Sequence, residues 1–189
     1  MLTSREIVST LEMLQSEHLD LRTVTLGINL MDCVSDDCEK LCRNNSNKIK
    51  TLAHNLVPTC NQISDKYGIP VVNKRISISP IAIVAAPFNA PQMVKVAHTL
   101  NDVAAEVNVD FVGGFSALVE KGLSNGDRSL IDAIPDALAE TERVCASVNV
   151  ASTRAGINMD AVLMMGEVVK AAAEKTAAQD GLAAAKLCV

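Results

Sequence analysis

The residue types best suited to chemistry in this sequence lie in NVASTRAGINMD, residues 149–160. Ser152, Thr153 and Arg154 stand beside a glycine, just ahead of a predicted helix. Hydroxyls and free amides donate hydrogen bonds, the helix dipole favours negative charge, and arginine grips a carboxylate or phosphate with two bonds. The segment therefore predicts a site for an anion. A helix cap followed by an exposed arginine explains the same residues and stays open as the alternative.

A second basic segment interrupts an apolar strand predicted over residues 69–79. Lys74 and Arg75 are neighbours there, and alternation along a strand sends them to opposite faces. A buried cation is costly unless it meets solvent or a charged partner, so at least one of the two should point into a barrel or cleft. The alternative is an edge strand whose charges are solvated.

A glycine pair follows the apolar run 109–112 in VDFVGGFSALVEKG. Gly113 and Gly114 lie between this predicted strand and a helix predicted over residues 116–121, which begins with Ser116. Glycines at such a junction serve either a tight turn with a positive φ or the close approach of a ligand to the main chain. The segment matches neither the phosphate-loop nor the dinucleotide-binding glycine pattern.

Asp32 and Cys33 follow the first predicted strand and are the candidates for acid–base or nucleophilic chemistry. Cys145 lies in the middle of another predicted strand, and we interpret it as a small core residue. Cys38 and Cys42 share a helical face, but without a second cluster of ligands we predict no metal site. The sequence identifies neither a cofactor nor a reaction.

The elements that must position these residues alternate along the chain. Strands are predicted over residues 21–29, 69–79, 109–112 and 143–152, and helices over residues 35–67, from 91, over 130–141 and over 158–178. This order is typical of an α/β fold with a mostly parallel sheet or barrel, here a single domain over residues 1–189. Ligands of such folds bind beyond the carboxyl ends of the strands, where the segments above lie.

Composition excludes several classes of partner. The net charge is −5 and aromatic residues make up 2% of 189 residues, which argues against nucleic-acid binding. No apolar run approaches the roughly 20 residues of a membrane-spanning helix, and the first residues lack a signal-peptide core. We therefore expect a cytoplasmic protein that contacts neither nucleic acid nor membrane.

Four segments together resemble one family: TVTLGINLMDC, GIPVVNKRISISPI, VDFVGGFSALVEKG and IPDALAETERVCASVNVASTRAGINMDAV. They look like the domain of unknown function 711 family, also called uncharacterised protein family 0210. The resemblance implies part of a pyruvate formate-lyase-like α/β barrel, incomplete at the C-terminus. It also implies a small ACT-domain protein as a partner. No glycyl-radical motif is present, so radical chemistry is not predicted.

Two functional hypotheses follow. In the first, the barrel binds a small anionic metabolite at the strand ends through Lys74, Arg75 and Arg154, with Ser152 and Thr153 donating hydrogen bonds. In the second, the protein is a non-catalytic regulator or scaffold that works with the ACT-domain partner. Because an exposed sheet edge favours pairing with another chain, self-association is expected in either case.

Overall fold

Five parallel strands form the centre of the structure, a computed structural model that describes residues 3–16 and 20–189. The strands in chain order are β1 (Leu21–Ile28), β2 (Val71–Ile78), β3 (Phe111–Leu118), β4 (Val144–Asn149), β5 (Ala151–Ser152), β6 (Gly156–Ile157) and β7 (Leu187–Cys188). The main sheet has the order β1-β2-β3-β4-β7, and β5 and β6 form a small antiparallel hairpin. The predicted α/β class and the parallel sheet are confirmed, and the arrangement is that of a partial barrel.

Eight α-helices accompany the strands in the described residues. They are α1 (Ser4–Gln15), α2 (Cys38–Ala53), α3 (Leu56–Tyr67), α4 (Ile81–Val84), α5 (Ala90–Glu106), α6 (Asn125–Glu140), α7 (Met159–Lys175) and α8 (Leu182–Ala185). Short 3-10 turns cover Met31–Cys33 and Ala177–Gln179. None of these helices is long and apolar enough to cross a membrane.

All the large helices between the strands lie on the same face of the sheet. Each strand of the main sheet pairs with the preceding one, so the chain always advances in the same direction across the sheet. Crossovers between parallel strands are right-handed, which puts every connecting helix on one side. Helices α2, α5, α6 and α7 accordingly pack side by side in a single layer.

Local signals in the sequence placed several helix ends correctly. Gly68 ends α3 in the left-handed conformation, with φ of 70°. Asn89 caps α5 through a capping box, and Pro91 lies in its first turn. Asn158 caps α7 by accepting a hydrogen bond from the Ala161 amide. In each case a residue within one turn supplies the missing backbone partner, so the sequence signal and the structure agree.

Three predicted boundaries were wrong. The helix predicted from residue 130 begins at Asn125, where Ser124 caps it. The other two concern strands. The helix expected over residues 116–121 does not form, because β3 continues through the glycine pair to Leu118. The strand expected over 143–152 ends at Asn149, and the chain then makes the β5–β6 hairpin. In both places the outcome depends on pairing with another strand, which the local pattern does not contain.

Candidate functional site

The face of the sheet opposite the helices is lined mainly by polar and small residues, with Phe111 and the half-exposed Leu118 as the large apolar ones, and we call it the open face. Isoleucines and valines such as Ile76, Val112 and Val148 point into the core under the helices. Their neighbours along each strand point the other way. These open-face residues are Thr23, Thr25 and Gly27 of β1, Asn73, Arg75 and Ser77 of β2, Phe111, Gly113, Ser116 and Leu118 of β3, Cys145, Ser147 and Asn149 of β4, and Cys188 of β7.

Strand register brings four open-face residues into one row. Gly27 is opposite Ser77, Ser77 is opposite Gly113, and Gly113 is opposite Cys145. A β-carbon placed on either glycine would meet no atom within 4 Å. The row therefore forms a shallow depression, the floor of the open face, which the side chains of neighbouring residues border.

Arg75 provides the positive charge at this floor. It lies one step along β2 from the row, in register with Phe111, and its Cζ lies 5.3 Å from the centroid of the Phe111 ring. The residue is exposed, and no carboxylate of the described residues forms an ion pair with it. A guanidinium held on an aromatic ring keeps its outer edge for a carboxylate or phosphate.

Cys145 is not the core residue that we predicted from the sequence. It is half-buried and lies on the open face at the end of the glycine row. Burial raises the pKa of the Cys145 thiol, while the positive charges of Arg75 and Lys186 act in the opposite direction. The charge of Arg75 thus offsets part of the effect of burial on the pKa of the Cys145 thiol, across the floor of the site.

Lys74 lies on the opposite side of β2 from Arg75, as alternation predicted. It is in register with Val24, on the face that the helices cover. Its backbone amide donates to Asp110 Oδ2 at 2.7 Å, and its carbonyl accepts from the Asp110 amide. Lys74 and Arg75 therefore do not act on one ligand together.

The two glycines of the pair have different structural roles. Gly114 is the extra residue of a β-bulge, because Gly113 is opposite Cys145 and Phe115 is opposite Ala146. Its φ is 119°, and a β-carbon there would lie 2.5 Å from the Ile78 carbonyl oxygen. Neither restriction applies at Gly113. The predicted tight turn between strand and helix is thus a bulge inside a strand.

Ser116 lies just beyond the bulge, in register with Ser147. It is 7% exposed, and its hydroxyl donates to the Gly114 carbonyl at 3.3 Å. The side chain therefore supports the bulge and borders the glycine row.

Asp32 and Cys33 lie beside α2 rather than on the open face. Lys48 forms an ion pair with Asp32 at 2.5 Å, and this hydrogen bond holds the pKa of the carboxyl below its ordinary value. Cys33 is buried, which raises the pKa of its thiol, and its Sγ lies 3.7 Å from Asp32 Oδ1. An ionised carboxylate next to a protonated thiol is an unfavourable pair for nucleophilic attack.

Ser152, Thr153 and Arg154 lie in the β5–β6 hairpin and not at the start of α7. The Ser152 hydroxyl accepts a hydrogen bond from the Ala155 amide at 3.1 Å, and Arg154 is exposed near the tip. The amides at the start of α7 are instead capped by Asn158. The anion site predicted from helix dipole, hydroxyls and arginine together is therefore not assembled here.

The signal for the open face was present in the sequence as alternation. Segments RTVTLGI, RISI and VCASVN each place an apolar residue at every second position. Such alternation is typical of a strand that is covered on one face only. Applied to β4, it would have assigned Cys145 and Ser147 to the open face.

The described residues contain no cluster of side chains suited to bind a metal ion. Within residues 3–16 and 20–189, no group of three or more histidine, cysteine, aspartate or glutamate side chains could hold a metal ion. Cys38 and Cys42 are both buried on α2, and burial with the neighbouring Cys42 raises the pKa of Cys38 to about 11.

Comparison with known proteins gives consistent matches along the chain. A family model described as "Uncharacterised ACR (DUF711)" matches residues 12–189. A UPF0210 protein of Syntrophobacter fumaroxidans is 62% identical over 189 residues, which is 100% of this chain and 41% of the relative. The UPF0210 protein of Desulfovibrio desulfuricans is 59% identical with the same coverage. That of Methanosarcina acetivorans is 53% identical over 187 residues, 99% of this chain and 40% of the relative.

Proposed function

Because the chain belongs to the DUF711 family and spans about two fifths of the length of its curated relatives, we propose a function for this part of the protein: the open face binds a small anionic metabolite, with Arg75 as its anchor. The ligand is a carboxylate or phosphate of low mass. Ser77, within the glycine row, and Ser147, two residues beyond Cys145 on β4, donate hydrogen bonds to the ligand.

One observation carries this proposal: an arginine without an ion-pair partner in the described chain lies on a polar, uncovered face of a parallel sheet. Parallel sheets are normally covered by apolar layers on both faces, and their strands are then apolar throughout. The hydroxyls, thiol and guanidinium on this face would be costly to cover with an apolar layer. They suit a polar cavity that receives a charged ligand.

The test is a thermal melt of the 189-residue chain with inorganic phosphate, acetate and succinate, each in turn. A binding anion raises the melting temperature, and Arg75→Gln abolishes the rise. The matched control is Arg154→Gln, which removes an equally exposed charge from the hairpin and should keep the rise. Loss of the rise in Arg154→Gln but not in Arg75→Gln would place the site at the hairpin and overturn the proposal.

A second candidate function is a regulator or scaffold that acts through a protein partner such as the ACT-domain protein that the resemblance implies. The observation that favours it is an apolar stripe on α1. Ile7, Val8 and Leu11 are 48%, 60% and 48% exposed on this helix. Apolar patches of this kind mark contact surfaces, with a second copy of the chain as the other occupant.

Val8→Glu tests this second candidate. The charge should abolish co-purification with a co-expressed ACT-domain protein, or dissociate a homo-oligomer in sedimentation analysis, without lowering the melting temperature. If the wild-type chain stays monomeric and retains no partner, the stripe on α1 has no role in assembly.

A further inference from the structure

Cys145 is the one thiol that shares the open face with Arg75 and the glycine row in β1–β4. Starting from the proposed anion site, we infer that Cys145 is its reactive group. The substrate class is then a small anion with an electrophilic carbon a few bonds from its charge.

Geometry supports this assignment. Arg75 is in register with Phe111 of β3, and Cys145 of β4 is in register with Gly113, two residues further along β3. Two strand spacings across the sheet and two residues along it correspond to about 12 Å between the Cα atoms of Arg75 and Cys145. The long arginine side chain covers much of this distance. The remaining gap fits an anion of a few heavy atoms, with its charge at the guanidinium and its far end at the sulfur.

The glycine row supplies the room for such a ligand. Neither Gly27 nor Gly113 has a positive φ, and a β-carbon on either one would meet nothing within 4 Å. Glycine inside a strand is unfavourable unless something must come close to the backbone. At Gly114 and Gly126, by contrast, a β-carbon would lie 2.5 Å from a backbone oxygen, so packing within the chain explains those two.

The charges near Cys145 also connect this thiol with Arg75, and this argument does not depend on the glycine row. Burial raises the pKa of the Cys145 thiol above its ordinary value, and the Arg75 charge offsets part of this rise by favouring the thiolate. Lys186 acts in the same direction, although its ammonium group is engaged by the carbonyls of Leu138 and Thr141. Arg75 thus attracts the anion and also favours the ionised form of the thiol that would attack it.

The chemical step needs no redox partner. The thiolate electron pair forms the C–S bond, and the electrons displaced from the carbon pass to a leaving group or a carbonyl oxygen of the substrate. The thiol proton passes to water before attack.

The experiment compares two alkylating reagents of nearly equal size. Iodoacetate carries a carboxylate and iodoacetamide is neutral. In both reactions the C–S bond forms as iodide leaves. Alkylation of the 189-residue chain near pH 9, where ordinary thiols ionise, is followed at each cysteine by peptide mass spectrometry. Cys188 is exposed and lies on β7, one strand further from Arg75 than Cys145, so it is the internal control.

The expected result is a ratio of iodoacetate to iodoacetamide rates about five- to tenfold higher at Cys145 than at Cys188 in low salt. Arg75→Gln should remove this preference, and it should slow iodoacetamide at Cys145 only as far as the lost charge lowers the fraction of thiolate. The ratio of the two rates, in which the thiolate fraction cancels, is therefore the readout. Gly113→Val should slow both reagents at Cys145 and neither at Cys188. Equal ratios at the two cysteines, or a Cys145 that neither reagent modifies, would overturn the inference.

Failure of this inference can be told from failure of the proposed function. If phosphate or a carboxylate raises the melting temperature through Arg75 while Cys145 shows no preference, the anion site stands and the thiol is not part of it. If neither effect is present, both fail.

Discussion

Substituting alanine at each glycine of the adjacent pair tests the assignment of Gly114 to a bulge. In Gly114→Ala, the new methyl group would lie 2.5 Å from both the Ile78 carbonyl oxygen and Ile78 Cγ1, at a φ of 119°. A backbone oxygen in a paired strand cannot move away cheaply. A conformation reserved for glycine costs about 1–3 kcal/mol and overpacking about 1–3 kcal/mol, so we expect a loss of about 2–6 kcal/mol in the free energy of unfolding.

Gly113→Ala is the matched control one residue away. Its methyl group would meet no atom within 4 Å, and its φ is not positive. Alanine also restricts the unfolded chain, so this variant should be unchanged or more stable by up to about 1 kcal/mol.

Urea unfolding followed by far-ultraviolet circular dichroism measures the difference. Because the denaturant slope of small proteins is about 1–3 kcal/mol per molar urea, the two midpoints should differ by about 1 M or more. If Gly114→Ala does not fold, the contrast with a folded Gly113→Ala gives the same answer. Equal midpoints for the two variants would refute the bulge and its contact with Ile78.

Three further variants test other parts of the structure by urea unfolding. Asn45 is 1% exposed, and the nitrogen and oxygen of its side-chain amide lack a hydrogen-bond partner among the described residues. Asn45→Leu should therefore raise the free energy of unfolding by about 1–3 kcal/mol. Asn47 is exposed, so Asn47→Leu should change it little. Gly126→Ala would place a methyl group 2.5 Å from a backbone oxygen of Ala82 and should cost about 1–3 kcal/mol, a result that an unchanged midpoint would contradict. The Cys38 thiol has a pKa of about 11 in the folded chain, against an ordinary value of 9.0. Because the unfolded chain loses this proton more readily, the contribution of Cys38 to the free energy of unfolding is complete below pH 9 and is lost as the pH rises towards 11. Cys38→Ala should therefore lose less stability than the parent chain over that interval, and parallel pH profiles would contradict this.

Features set by nearby residues could be predicted from the sequence. Gly68 and Pro91 act within one turn of a helix, and the alternation of strands and helices follows from periodicity along the chain. Even the opposite directions of Lys74 and Arg75 followed from strand geometry alone. In all these cases, the residues that decide the structure are adjacent in the sequence.

Features set by distant contacts could not be predicted in the same way. The bulge at Gly114 depends on Ile78, a residue of the neighbouring strand. The exposed position of Arg154 depends on the hairpin that β5 forms with β6. Cys145 is a different case, because the alternating pattern of β4 contained the direction of its side chain, although we predicted it as a small core residue.

The sequential order of the sheet has a consequence for synthesis on the ribosome. Because each strand of the main sheet pairs with the one made before it, every new strand and its helix can dock as soon as they emerge, without waiting for distant partners. Each loop to be closed joins strands whose paired residues are 31 to 50 positions apart, rather than strands from opposite ends of the chain, which limits the entropy lost in each step. At every stage, however, the newest strand presents an unpaired edge and an uncovered polar face to solvent. The polar residues on that face then help to keep the nascent chain from aggregating.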